Sequence, residues 1–122
     1  MAAPNIVNVA TITAKTVGYA VTTSLASTGV SNAASSGKVF KINSITCANV
    51  DGTNAADISV SIYKNQTTDF YLAKTITVPA DASLVVLGKD SNPIYLEEND
   101  SIRAIASATG DLELVISYEE IS

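Results

Sequence analysis

The sequence has no histidine and no tryptophan, and only one cysteine, one methionine and three prolines among 122 residues. Without imidazole, the commonest general base and the commonest metal ligand are missing, and with them every Ser-His or Cys-His nucleophile pair. A zinc site draws on several thiolates or imidazoles, and a single thiol does not supply one. Cys47 cannot form a disulfide within the chain, and its place in the apolar run from Ile45 to Ala48 reads as a buried, inert thiol. Cations are scarce as well. Seven Lys and Arg stand against twelve Asp and Glu, for a formal charge of −5. They are scattered, Lys38 and Lys41 being the nearest to a cluster, so no basic face is expected for nucleic acid. No apolar run approaches the roughly 20 residues that span a bilayer, and no charged start leads into an apolar signal core. Neither nucleic acid nor a membrane is expected as a partner.

What is present is aliphatic. Apolar residues make up 47% of the chain, mostly Ala, Val, Ile and Leu mixed with Ser and Thr, a composition that favours strands. A chain of this length reads as one domain, residues 1–122, able to bury roughly two thirds of its unfolded surface without staples.

The closing stretch is the clearest. Leu112, Leu114, Ile116 and Tyr118 alternate with Glu113, Val115, Ser117 and Glu119, behind a Gly110-Asp111 turn, which predicts a half-buried antiparallel strand. Residues 5–16 (NIVNVATITAKT) carry apolar side chains on both parities: Val7 and Val9 on one, Ile6 and Ile12 on the other. A strand with such ambiguous facing is one that pairs with another chain, so Ile6, Val7, Val9 and Ile12 are candidates for an assembly interface, in an N-terminal arm or edge strand over residues 1–16. Residues 17–25 read as a second strand, and the small polar residues 26–38 as a surface loop. In residues 39–50 the apolar parity switches after Phe40 and Ile42, predicting a bulge near Asn43-Ser44. Asp51 to Asn54 and residues 64–69 (KNQTTD) are turns, Ile58, Val60 and Ile62 mark a half-exposed strand, and Pro79 ends the next one. With no helical stripe anywhere, the expected fold is all-β: an antiparallel β-sandwich of seven to eight strands, jelly-roll or Greek-key-like.

Little in the chain points to chemistry. Glu97, Glu98 and Asp100 fall in one tight turn and read as a solvated acidic turn whose neutralisation leaves the fold intact. A weak calcium site is the lesser alternative there. No catalytic residue, metal ligand or cofactor site is assigned, and an enzyme is not expected. Tyr63, Phe70 and Tyr71 gather around the KNQTTD turn and are candidates for facing a partner or a glycan.

Two segments, KVFKINSITCANVDGTNAADISVSIY and VPADASLVVLGKDSNPIYLEENDSIRAIASATGDLELVISYEEIS, carry a resemblance. The turn between two strands at NVDGTNAA, the VPA…SLVV strand start, the acidic turn YLEENDSI and the final VISYEEI resemble small virion structural proteins of tailed bacteriophages, including cyanobacterial phages. The likeness runs over residues 38–122. Asn99 stands where that family usually has Gly, a replacement a left-handed turn position accepts. The resemblance implies a β-sandwich that assembles in a particle, and it transfers no catalytic residue. It implies a non-enzymatic virion protein, assembled in the host cytoplasm, whose partners are the major capsid protein or other virion proteins. A capsid decoration or cement subunit comes first, and a neck, tail or fibre component second. A homo-oligomer is expected, with a trimer as the first choice. The reading in a different class is a carbohydrate-binding host-recognition module, which requires Tyr63, Phe70 and Tyr71 to form one exposed platform.

Overall fold

The structure, a computed structural model, describes residues 9–88 and 90–122. Among these residues there is no helix, and nine strands form two packed antiparallel sheets: β1 (Ile12–Ala20), β2 (Ala26–Ser31), β3 (Val39–Asn49), β4 (Ala56–Lys64), β5 (Thr68–Val78), β6 (Ser83–Leu87), β7 (Ile94–Leu96), β8 (Ser101–Ala106) and β9 (Leu112–Ile121). One sheet runs β1-β9-β3-β6 with β7 also on β3, and the other runs β2-β8-β4-β5. Strand β6 pairs with β3 from Ile45 to Ala48 and β7 pairs with it from Phe40 to Ile42, so the two are one edge interrupted by a loop. Counted that way, the pairings β1–β9, β2–β8, β3–β6/β7 and β4–β5 are nested like the arms of one long hairpin. Rolling that ribbon brings β9 beside β3 and β8 beside β4, which is the jelly roll expected from the sequence.

The core lies between the sheets and is aliphatic: Ile42, Ile45, Ile58, Leu96, Ile102, Leu112, Leu114 and Ile116 are fully buried. Strand β9 faces as its alternation predicts, and the bulge in β3 falls between Ile42 and Ser44. Burial pushes the Cys47 thiol up to about 11, which makes it unreactive at neutral pH.

Three local expectations are corrected. Strand β1 crosses the boundary drawn between residues 16 and 17, so among the described residues 9–25 one strand stands where parts of two were expected. Residues 26–31, expected in a loop, form β2. Thr28 and Val30 turn inward around Gly29, whose φ is 93°, and the Thr28 hydroxyl donates to the Ile102 carbonyl at 2.9 Å. The outward face of β4 is covered as well, because Ser59 and Ser61 lie buried beneath side chains of β5 and β8.

Polar side chains close the two ends of the sandwich. At one end Asn49 donates to the Asn54 and Val78 carbonyls, both at 2.9 Å, and accepts from the Asp51 amide. At the other, buried Asn32 donates to the carbonyls of Lys38 (2.8 Å) and Leu96 (3.1 Å). Beside it lies Asp100, whose side chain is only 2% exposed. It accepts from Lys64 Nζ at 2.7 Å and from the amides of Asn65 and Glu97. The acidic turn is therefore not simply solvated: Asp100 is a buried pin that docks the β4–β5 turn on the β7–β8 turn. Asn99 takes the left-handed conformation there, at φ 76°. Glu120 closes the same end, bridging Lys15 and Lys38 at 2.9 Å each. Burial works to raise its pKa, and the two lysine hydrogen bonds outweigh that and hold it below the usual carboxylate range.

Two outcomes follow for stability. Asp100→Asn, which exchanges two acceptor oxygens for one and removes the charge facing Lys64, is expected to cost about 2–4 kcal/mol, whereas Glu97→Gln on the exposed side of the turn costs under about 0.5 kcal/mol. Chemical denaturation of the two variants checks this, and equal losses would contradict the pin. Because Glu120 is depressed in the folded state, its contribution is present above the unfolded carboxylate pKa of about 4.3 and is lost as pH falls through the lower folded value. Glu120→Gln should therefore be less stable than the parent at pH 7 and should lose less stability than the parent between about pH 5 and 2. Denaturation midpoints measured across that range decide it.

Candidate functional site

The two sheets do not end in register. On one side, the eleven-residue strand β5 stands at the edge of its sheet, facing the five-residue β6 and the loop that follows it. Pairing places Phe70 beside Ile62 and Ile76 beside Ile58, on the inward face of the sheet. Inward residues of a sandwich are normally covered, yet Phe70 is 59% and Ile76 40% exposed, and Leu72 is exposed with them. The edge strand opposite them, β6, has five residues against the eleven of β5. The result is an apolar margin along one flank, on a strand whose outer hydrogen-bonding edge is unpaired among the described residues.

The edge is interrupted in its second half. Register shifts occur between Ile58 and Val60 and between Val60 and Ser61, and opposite them Thr75 adopts φ 52°, a strained conformation for a β-branched residue. Its amide donates to the buried Ser59 hydroxyl at 2.8 Å, which fixes the bulge. The regular register runs from Thr68 to Tyr71 and breaks at Leu72, so a ladder can be extended only along residues 68–71, while the side chains of Phe70, Leu72 and Ile76 remain exposed.

The three aromatic candidates are not brought onto one platform. Tyr71 pairs with Ser61 and Tyr63 with Asp69, so both rings project from the outer face, whereas Phe70 projects from the inner one. The Arg103 guanidinium lies 4.0 Å from the Tyr63 ring centroid, and its Nε is 3.4 Å from Asp69 Oδ1, which accepts from the Ser61 hydroxyl at 2.7 Å. Lys74 Nζ lies 4.2 Å from the Tyr71 ring centroid. Rings already carrying a cation on one face offer a saccharide less to stack on, and the third ring points away. Of the assembly candidates, Ile12 is exposed at the start of edge strand β1 and Val9 is half-buried, while Ile6 and Val7 lie outside the described residues. The amides of Ala10 and Thr11 donate to the Ser122 carbonyl, which zips this segment to the end of β9.

The acidic groups do not converge on a reaction centre. Among the described residues no group of three or more His, Cys, Asp or Glu is placed to hold a metal ion. Asp51 and Asp111 are a neighbouring carboxyl pair whose members shift in opposite directions. Asp51 caps its own turn, accepting from the amides of Thr53 and Asn54, and these hydrogen bonds hold its pKa low. Burial, and then the Asp51 charge, push Asp111 up. A carboxylate already filled by turn amides is a cap and not a free base. The surface depressions are shallow: one of about 400 Å³ is lined by Lys41, Asn43, Ser44, Ser91 and Pro93, with no carboxylate among them.

Sequence reading identified Phe70 and Tyr71 by their aromaticity. It missed Ile76 as an exposed residue, because Ile76 shares the parity of buried Val78. Relief of the strained bulge is testable. Thr75→Gly is expected to stabilise the fold by about 1 kcal/mol, and a loss of stability in thermal denaturation would show that the left-handed position carries no cost.

No protein-family model and no curated protein matches the chain.

Proposed function

We propose that the protein is a non-enzymatic structural subunit of a bacteriophage particle, acting first as a decoration or cement subunit that seats on the assembled head and clamps its lattice. The observation that carries this reading is the apolar margin of β5, where Phe70, Leu72 and Ile76 stand uncovered on a rigid sandwich. Apolar side chains on an inward sheet face are complete only against another protein surface. The major capsid protein is the partner proposed for that margin, and the virion, assembled in the host cytoplasm, is the place of action.

Three features support the reading. The fold is pinned at both ends by buried Asn32, Asn49 and Asp100, which suits a part that transmits load instead of changing shape. Lys15, Lys38, Lys41, Lys64 and Arg103 each lie within ion-pair distance of a carboxylate of the same chain, leaving an acidic surface with an apolar strip. The sequence resemblance from residue 38 onward points to virion structural proteins. A neck, tail or fibre position uses the same margin and differs in copy number.

Quantitative mass spectrometry of purified particles should find the protein at a fixed, high ratio to the shell protein; absence from particles would end the proposal, and a low fixed copy number would move it to the neck or tail. The double variant Phe70→Ser/Leu72→Ser is expected to keep its circular dichroism spectrum and bind emptied shells at least about tenfold more weakly, as loss of anchor side chains does. Undiminished binding would place the contact elsewhere.

A further inference from the structure

No described residue covers the outer face of the β1-β9-β3-β6/β7 sheet, and its registers define a grid. Reading across the strands, one row is Ala14, Glu119, Lys41 and Tyr95. The next is Thr16, Ser117 and Ser44; then Gly18, Val115, Thr46 and Val85; then Ala20, Glu113, Ala48 and Ser83. All of these project outward, because the alternate residues Val17, Tyr19, Ile42, Cys47, Leu114, Ile116 and Leu84 pack inward. The β1 side of the grid is low, with Ala14, Gly18 and Ala20. The β6/β7 side is tall, with Val85 and Tyr95 both exposed. Val115, in the middle, is exposed as well.

We infer that this face is the contact between two copies of the chain, stacked sheet on sheet about a twofold axis parallel to the strands and lying between β9 and β3. That operation sets β1 over the partner's β6/β7 edge and β9 over its β3. Ala14 then meets Tyr95, Gly18 meets Val85, Ala20 meets Ser83, and Val115 meets Thr46, so each tall position lands on a low one. The charges match too. Glu119 faces Lys41 of the other copy and Lys41 faces its Glu119, which joins the two intrachain pairs, each at 3.7 Å, into one four-charge network. The other in-plane twofold, perpendicular to the strands, fails. It lays Glu119 over Glu113 and sets acid against acid in a chain that already carries −5.

Chemistry at Gly18 allows the approach. It lies in β1 with open space around the position a Cβ would take, so the low edge is a real recess in the profile. Four strands about 4.8 Å apart, over six residue steps of about 3.4 Å, give roughly 400 Å² of flat face per copy. That is small for a permanent interface, so the dimer is weak and concentration-dependent. An isologous contact of this kind replaces the trimer as the symmetry favoured for self-association. It leaves the β5 margin free and does not depend on the particle reading.

Sedimentation velocity and light scattering across micromolar to millimolar concentration test it. The mass should rise from 12.6 kDa toward twice that value, while a mass constant at one copy, or a plateau at three copies, overturns it. Lys41→Glu and Glu119→Lys are each expected to weaken self-association at least about tenfold, since each places like charges across the axis. An equimolar mixture of the two variants should recover the dimer, because in the mixed pair every cross-axis contact is again opposite in charge. A mixture that stays monomeric overturns the arrangement. Should either charge variant fold poorly, Gly18→Arg, placed where the monomer has room, should abolish the dimer with the circular dichroism spectrum unchanged. Retention of the dimer in that variant overturns the proposal.

Discussion

The ladder between β3 and β9 holds the rest together. Each strand contributes its core side chains to the same layer, Phe40, Ile42, Ile45 and Cys47 from one and Leu112, Leu114, Ile116 and Tyr118 from the other. The Phe40 and Tyr118 rings meet at 5.3 Å between centroids. These are also the strands that convert a ribbon into a roll, since neither is the other's hairpin partner. Without that ladder, β1 and β6 would hang on opposite fragments with no shared sheet. The bulge between Ile42 and Ser44 keeps the ladder compatible with sheet twist while returning apolar residues to the inner face on both sides of it.

From that ladder outward, cover declines. The two central strands of each sheet are paired on both sides, and the edges differ in how they are finished. Strand β1 carries Lys15 on its inward parity, tied to Glu120, and a charge there discourages a stranger strand from docking. On the β3 side, β6 and β7 are short and separated by a loop. Strand β5 is long and left apolar, and it is protected only by the Thr75 bulge and by Lys74 lying over Tyr71. Its breaks at Leu72 and Thr75 are the kind of irregularity that limits edge-to-edge pairing.

Where residue type and neighbour in sequence agree, the fold was legible: the alternation of β9, the parity switch in β3, the turn at Asp51 and the arrest at Pro79 all stand as read. Failures came where distant residues decide the outcome. Ala26 to Ser31 has no apolar rhythm, and it becomes a strand because β8 supplies its ladder and Ile102 accepts the Thr28 hydroxyl. Asp100 looks like any turn acid until Lys64 and the Asn65 amide, brought from another hairpin, surround it. Ser59 and Ser61 read as solvent-facing, and Arg103, Asp69 and Tyr71 cover that side. For the candidate surface, aromaticity marked Phe70, but nothing local tells which inward residues the opposite sheet will fail to cover.

The nested pairing has a consequence for biogenesis. Strand β1 is made before β9, its only ladder partner among the described residues, which follows about a hundred positions later. Until then its backbone groups have no place in a sheet, and the same holds for β2, which must wait for β8. Such a topology closes only once β8 and β9 have been made, with the β4–β5 hairpin as its most local pairing. Until they are made, the early strands present unpaired edges, the kind of surface that makes a folding intermediate prone to aggregate.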